Sequence, residues 1–228
     1  MLNLIVYFQM KKYIFVILVI LSNLFTILAQ EYNFGRFNIG ADIGWGYRLG
    51  EIEMNYNYEK EYVTGSPSGL YVNADATFYF RPKFGLGLKY SFFHASNDLG
   101  NIWNKTYVNY IGPAYYGRSN PLGLKQKIHL NYSAGLGYVH YKDDCRGLLE
   151  SDYIINAIIT ANTLGLYTDF GAEFRLTPKL FLTGKIHFLI SYYKNYTVET
   201  PYVWFKEISD KFQNASHLGI SFGLKFSL

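Results

Sequence analysis

The sequence predicts an all-β protein, an eight-stranded antiparallel transmembrane β-barrel with short periplasmic turns and longer extracellular loops. Residues 217–228 alternate strictly between large apolar side chains and small or polar ones, which is the period of a β-strand with one apolar face. The same alternation recurs upstream in segments of about 9 to 11 residues, the length that a tilted strand needs to cross a bilayer. A secretion signal precedes these segments. Together these observations predict a bacterial outer-membrane protein.

The composition agrees with a barrel better than with a soluble enzyme. Aromatic residues make up 19% of the 228 residues and charged residues only 17%, whereas an ordinary globular chain is about 25% charged. Beyond the N-terminus no run of about 18 apolar residues is present, so we expect any membrane crossing there to use strands. The chain has neither a basic run nor a basic helix, which argues against a nucleic-acid partner.

The N-terminus is typical of a cleaved signal peptide. Lys11 and Lys12 precede an apolar stretch that ends at the small residue Ala29. Met10 is the expected start, and a longer leader and an uncleaved anchor helix are the alternatives. The predicted organisation is a signal peptide over 1–29 and a single outer-membrane β-barrel domain over 30–228.

Eight segments carry the strand period. Their predicted ranges are 37–48, 70–80, 85–92, 106–117, 127–138, 164–176, 182–190 and 217–228. In seven of them the apolar set is expected to face lipid and the small or polar set to face the lumen. The fourth leaves its facing undecided because Gly112 and Pro113 interrupt the pattern.

The connections alternate in length. Short turns centred on Pro82 and Pro178 join strands two to three and six to seven. Longer connections are predicted at 49–69, 94–105, 141–163 and 195–215, and one of moderate length at 118–125. Short turns on one rim and long loops on the other are typical of outer-membrane barrels. The apolar segment 151–161 fits either an extension of strand six or a short helix over the mouth.

The two short turns also predict which lumen residues lie opposite each other. Centring the first on Pro82 places Asp75 across from Lys89, and centring the second on Pro178 places Asp169 across from His187. Opposite charges in a narrow lumen should pair, because a lone desolvated charge is costly. The expected polar network consists of Asp42, Asp75, Lys89, Asp169, Lys185 and His187. Its predicted role is structural, since side chains fill an eight-stranded interior; a proton or ion path is the alternative.

A soluble eight-stranded barrel would alternate in the same way, but it would turn its apolar face inward around a ligand. Here the other face is mostly glycine, serine, asparagine and threonine, which suits a narrow lumen better than a solvent-facing surface. No nucleophile and base converge at the outer rim, so no catalytic residue is predicted. No spacing of acidic residues matches a dedicated calcium loop, and we predict neither metal nor cofactor. Cys145 is alone and is expected to have no role.

The chain resembles the small outer-membrane β-barrel proteins common in Bacteroidota, relatives in architecture of the OmpX and OmpA barrels. Segments 164–182 and 218–226 carry the resemblance. The last eight residues also resemble the C-terminal signal read by the barrel-assembly machinery, with its features at Ser221, Gly223, Phe226 and Leu228; the usual final Phe or Trp is replaced by Leu. The resemblance implies the barrel class. It also implies two partners, outer-membrane lipid and the barrel-assembly machinery, and it brings no catalytic residue.

The sequence therefore predicts a non-enzymatic outer-membrane barrel that is structural or that binds an extracellular ligand or surface partner through its long loops. The first alternative is a small-solute channel of the porin kind. The second is an enzyme that modifies outer-membrane lipid.

Overall fold

The structure, a computed structural model, describes residues 35–49, 68–98, 102–122, 127–148, 154–200 and 204–228. The predicted signal peptide and most of the predicted loop 49–69 lie outside the described residues. Within the described ranges, no helix is long and apolar enough to span a membrane.

Nine β-strands account for the regular structure of the described residues. They are β1 Phe37–Arg48, β2 Ser68–Arg81, β3 Phe84–Asp98, β4 Ile102–Arg118, β5 Ile128–Leu148, β6 Ile154–Arg175, β7 Leu180–Glu199, β8 Trp204–Asn214 and β9 His217–Ser227. All pairings between them are antiparallel.

The strands close into a ring of eight, which confirms the predicted fold class. Each strand from β1 to β7 pairs with the next, and β9 pairs with both β7 and β1. Closure leaves no unpaired edge along the ring, so its backbone groups are satisfied without water.

The ninth strand arises because the last barrel strand is divided in two. The first part of β7, from Leu180 to Leu189, pairs with β9. The rest of β7, from Tyr192 to Glu199, pairs with β8. Ala215 and Ser216 separate β8 from β9, and both replace regular ladder bonds with contacts to Ser191. The Ala215 amide donates to the Ser191 carbonyl at 2.9 Å, and the Ser191 amide donates to the Ser216 hydroxyl at 3.0 Å.

Three of the predicted loops are shorter than expected, because strand pairing continues into them. The β3–β4 ladder extends to Asp98 and Trp103, and the β5–β6 ladder extends to Leu148 and Ile154. The segment 154–161 is therefore an extension of strand six and not a helix. The expected loop 195–215 is mostly the β7–β8 hairpin. Backbone pairing with a neighbouring strand gives these stretches a partner that their side-chain pattern does not reveal.

The face of the fourth strand, which the sequence left undecided, is settled by its neighbours. Val108 and Tyr110 are buried in the lumen, whereas Ile111 and Tyr115 are exposed. The strand continues through Gly112 and Pro113: both pair with β3, while the pairing with β5 is interrupted there. Proline lacks an N–H, so only one of the two ladders is interrupted.

The predicted alternation of faces is observed around the ring. The outer face is apolar, and Leu136, Leu164 and Phe222 are 67%, 74% and 65% exposed. The buried side chains lie inside the barrel, where aromatic and charged residues pack together. The molecule is therefore apolar outside and mixed inside, the reverse of a soluble barrel.

Candidate functional site

The lumen holds ten buried charged side chains among the residues that the structure describes. The five acids are Asp42, Asp75, Asp143, Asp169 and Glu173, and the five bases are Arg48, Lys89, Arg118, Lys185 and Lys225. Equal numbers of opposite charges make the described interior neutral. A closed barrel of eight strands can keep such groups from water only if they pair.

Lys89 of β3 is the cation at the centre of the first cluster. Its ammonium group forms an ion pair with Asp169 of β6 and donates to the Ser133 hydroxyl at 2.7 Å. The Ser133 hydroxyl also donates to Asp169, at 2.8 Å. The Lys89 nitrogen lies 4.6 Å from the ring centroid of Tyr167 and 5.3 Å from that of Tyr116. One cation thus bridges the lumen and has an aromatic wall on two sides.

Lys185 of β7 is the cation of the second cluster, and it holds two carboxylates. Its nitrogen is 2.6 Å from Asp42 Oδ2 and 3.1 Å from Asp75 Oδ1. The Thr183 hydroxyl donates to the other oxygen of Asp42. Three strands, β1, β2 and β7, are therefore connected by one ammonium group.

The structure buries all six predicted network residues in the lumen, but it divides them between the two lysine clusters and a separate chain around His187. The predicted registers are observed: Asp75 is the backbone partner of Lys89, and Asp169 is that of His187. The predicted ion pair between Asp75 and Lys89 is nevertheless wrong, because Asp75 contacts Lys185 and Lys89 contacts Asp169. A lysine has four methylene groups and reaches the opposite wall of a narrow lumen, so the adjacent strand does not determine its partner.

His187 belongs to a hydrogen-bonded chain that the sequence did not predict. Its Nε2 lies 2.5 Å from the Ser221 hydroxyl, and its Nδ1 lies 2.7 Å from the Tyr167 hydroxyl. Tyr167 donates to the Asn73 side chain at 3.0 Å, and Tyr71 donates to Tyr167 at 3.1 Å. The serine and the histidine resemble half of a hydrolase triad. Both are fully buried in the packed lumen, so no substrate reaches them in this structure.

A third charged cluster lies nearer the turn end, where Lys225 of β9 forms an ion pair with Glu173 of β6. Asn131 donates to the same carboxylate at 2.5 Å. The sequence predicts both charged residues to face inward, but it contains no short turn that relates β6 to β9. The pair was missed because its partners come from strands that are not joined by a tight hairpin.

Large aromatic side chains close the lumen on the loop side of the charges. The buried residues that share this layer are Tyr71, Phe93, Val108, Tyr110, Val139, Tyr141, Tyr167, Leu189 and Tyr193. His217 stacks on Phe93 with ring centroids 5.0 Å apart and meets the edge of Tyr71 at 5.3 Å. The layer and the ion pairs together fill the section of the barrel that the apolar outer face surrounds.

Beyond this layer, the loop end of the lumen contains a separate polar group. Arg48 donates from Nη1 to the Thr106 hydroxyl at 3.4 Å, and Thr106 donates to Asp143 at 2.9 Å. Asn104 donates to the second oxygen of Asp143 at 3.3 Å and to the Cys145 sulfur at 3.2 Å. Arg48 and Asp143 are thus connected through a hydroxyl and not by a direct ion pair.

Cys145 lies outside the apolar belt, because the outward residues of β5 after Tyr138 are polar. Burial raises the pKa of the Cys145 thiol above its usual value, and the carboxylates of Asp143 and Asp144 raise that pKa further. The thiol is therefore protonated at neutral pH and is a weak nucleophile.

Three residues of the predicted assembly signal lie in β9, and the fourth, Leu228, follows its last residue. Ser221 faces the lumen, and Phe226 and Leu228 are exposed on the outer side. An added Cβ at Gly223 would lie 2.0 Å from the Ala41 carbonyl oxygen of β1, so only glycine fits the seam where the ring closes. Their recognition during assembly stays a prediction. Among the described residues, no group of three or more His, Cys, Asp or Glu side chains is arranged to hold a metal ion.

No protein-family model matches the chain, and no curated protein matches its sequence. Several solved structures match its fold. Neisserial surface protein A aligns over 86% of this chain and 100% of its own, with a TM-score of 0.50 and 12% identity. A major outer membrane protein from Thermus thermophilus aligns over 83% and 98%, with a TM-score of 0.55 and 15% identity. The outer membrane protein OprG from Pseudomonas aeruginosa aligns over 87% and 98%, with a TM-score of 0.52 and 12% identity. At these identities the likeness shows the fold alone, that of small outer-membrane β-barrels.

The ion pair across the lumen predicts strong coupling between Lys89 and Asp169. Either Lys89→Met or Asp169→Asn alone should lower the free energy of unfolding by about 3–5 kcal/mol, because each leaves a buried charge without its partner. The double variant should recover part of that loss. Urea unfolding of the purified barrel in lipid vesicles measures all four proteins of the cycle.

The matched control is the cycle of Lys89→Met with Asp75→Asn. Asp75 contacts Lys185 instead, so its coupling to Lys89 should be clearly smaller. Equal coupling in the two cycles would contradict the partners described above.

Proposed function

We propose that the mature chain is an integral bacterial outer-membrane β-barrel protein without enzymatic activity, which acts by binding an extracellular ligand or surface at its loop end. Secretion through the signal peptide, recognition by the barrel-assembly machinery and membership of the Bacteroidota type are parts of this proposal. The observation that supports it best is a filled, neutral lumen combined with strands that continue past the membrane belt on one side.

The outer face supports the membrane location. Large apolar side chains are exposed on every strand of the ring. A soluble protein of this size would bury most of these side chains. A bilayer provides the apolar environment that these side chains need, and the closed ring satisfies the backbone groups inside that bilayer. The solved structures that share the fold are outer-membrane proteins.

The contents of the lumen favour binding over transport. Ion pairs connect opposite walls at two levels, and the aromatic layer lies across the loop side of them. An interior filled by side chains is the expected state of an eight-stranded barrel. A solute could pass only if these pairs and the aromatic layer separated.

The loop end offers an extended surface. The pairing of β1 with β9 stops at Arg48 and His217, whereas β5 and β6 remain paired as far as Leu148 and Ile154. The β7–β8 hairpin extends in the same way to Glu199 and Trp204. Hydrogen-bonded strands hold a binding surface more rigidly than irregular loops do, and loops on a rigid barrel are common sites of recognition.

An arginine on the outer face tests the membrane location. Phe222→Arg should lower the free energy of unfolding in vesicles by about 2–4 kcal/mol, since residue 222 lies near the middle of the apolar face. Phe222→Leu, which keeps the position apolar, should fold nearly as well as the wild type. Urea titration and the mobility of unheated samples on gels measure both. Equal stability of the two variants would mean that this face does not contact lipid.

Planar-bilayer recording separates the proposal from the small-solute channel. We expect the wild-type protein to show no stable conductance, because ion pairs and aromatic rings block the lumen. A larger porin recorded under the same conditions is the positive control. A stable conductance whose ion selectivity changes in Lys185→Gln would favour the channel instead.

Shortening one hairpin tests the binding role. Asp143 and Ile159 are cross-strand partners, so replacing residues 144–158 with Asn-Gly closes the hairpin with a two-residue turn. The variant should assemble into the outer membrane, while adhesion of expressing cells to matrix-coated plates should fall to the level of cells without the protein. Replacing only 149–153 with Asn-Gly controls for the turn itself and should keep more of the adhesion. Full adhesion by the shortened variant would place the activity elsewhere.

A further inference from the structure

The outer wall of the barrel changes from apolar to polar at one row of cross-strand partners. Ile111, Tyr138 and Leu164 lie side by side on β4, β5 and β6, and all three are exposed. Two residues further along each strand, about 7 Å toward the loop end, the outward side chains are polar. In a membrane this is the level at which the hydrocarbon core gives way to lipid head groups.

The first polar row presents two side-chain amides on the outside of the barrel. Asn109 and Asn162 are the backbone partners of His140, one on each side. The Asn109 oxygen accepts a hydrogen bond from the Tyr90 hydroxyl at 2.9 Å, and the Asn162 oxygen lies 2.8 Å from His140 Nδ1. Among the described residues, no hydrogen bond uses the N–H donors of either amide. These donors are therefore available to the hydroxyl groups of a ligand.

The next two rows carry more bases than acids. Lys105 is the backbone partner of Asp144, so Lys105 and Lys142 are diagonal neighbours across the β4–β5 ladder. Diagonal neighbours lie about 7–8 Å apart, close enough for two ammonium groups to meet at one anion. The carboxylate of Asp144 forms an ion pair with Arg146 at 3.2 Å. Within the described part of the chain, neither lysine forms an ion pair.

The depth of the two lysines suits contact with lipid phosphates. Tyr90 and Tyr138 are exposed on the apolar side of them, and tyrosines are typical of the level where a membrane protein meets the head groups. A lysine just beyond that level can extend its methylene groups along the wall and place its ammonium group among the phosphates.

We propose that this outer wall of β4, β5 and β6 binds a phosphorylated sugar head group of a lipid in the outer leaflet. The ammonium groups of Lys105 and Lys142 bind its phosphate, and the amides of Asn109 and Asn162 donate to its sugar hydroxyls. Two neighbouring cations suit a phosphate monoester, which carries a charge of about −1.5 to −2 at pH 7, better than a phosphodiester with a single charge. The lipid lies outside the barrel, so the filled lumen does not restrict it. This binding rests on the membrane location proposed above and not on adhesion.

Native mass spectrometry of the full mature protein, released from neutral detergent micelles, counts the lipids that stay bound. The first probe is lipid A, a glycolipid with two sugar phosphates, and its matched control is the same lipid with both phosphates removed. Phosphatidic acid, which has a phosphate monoester but no sugar, separates the charge contacts from the sugar contacts. The wild type should bind one lipid A in a saturable manner and the dephosphorylated lipid at least about 10-fold more weakly.

Two double variants assign the two parts of the head group. Lys105→Gln combined with Lys142→Gln should reduce the affinity for both lipid A and phosphatidic acid about 10- to 100-fold, because two contacts to a charged group are lost. Asn109→Ala combined with Asn162→Ala should reduce the affinity for lipid A about 10-fold. The asparagine pair should leave phosphatidic acid binding unchanged, since that lipid has no sugar hydroxyls.

The matched control removes the same charge at the turn end of the barrel. Lys127 and Lys179 are exposed there, and Lys127→Gln combined with Lys179→Gln should leave both affinities unchanged. Equal losses in the two lysine pairs would show that any surface cation attracts these lipids and would overturn the proposal. Equal binding of lipid A with and without its phosphates would overturn it as well, while the membrane location, tested separately by Phe222→Arg, would stand.

Discussion

Charge neutrality inside a closed ring is the constraint on which the rest of this structure depends. A carboxylate or an ammonium group moved from water into the interior costs several kcal/mol unless an opposite charge and hydrogen bonds meet it there. The described lumen contains five acids and five bases, and two lysines bridge different walls. Each ion pair of the lumen joins strands that are far apart in sequence, so the charged interior also connects distant parts of the ring.

This interior explains where function can lie. Aromatic rings and ion pairs occupy the section of the barrel inside the apolar belt, which leaves the extended strands and the mouth as the parts open to variation. A histidine and a serine within hydrogen-bonding distance would suggest catalysis on an exposed rim. Here His187 and Ser221 are part of the packing, so the same chemistry supports structure instead. Burial distinguishes the two roles, and proximity alone does not.

Local patterns predicted much of the fold, because a period of two depends only on which side of a strand meets lipid. The short turns at Pro82 and Pro178 predicted the registers of two hairpins correctly for the same reason: a tight turn relates residues by simple counting. Where no tight turn exists, counting has no starting point. The pair between Lys225 and Glu173 and the course of β4 through Pro113 were therefore not predictable in this way.

The sequence by itself determined the fold class, the inward and outward faces of seven strands, and the inward facing of eight of the ten buried charged residues. The other two, Arg118 and Asp143, were predicted to lie in connections, and they are in the lumen because β4 and β5 extend further than their side-chain pattern indicates. The tertiary structure decided which charges meet, because long side chains select partners across the lumen while register relates only neighbouring strands. It also decided that the segment 154–161 and most of 195–215 are strand, since their hydrogen bonds go to backbone groups of adjacent strands.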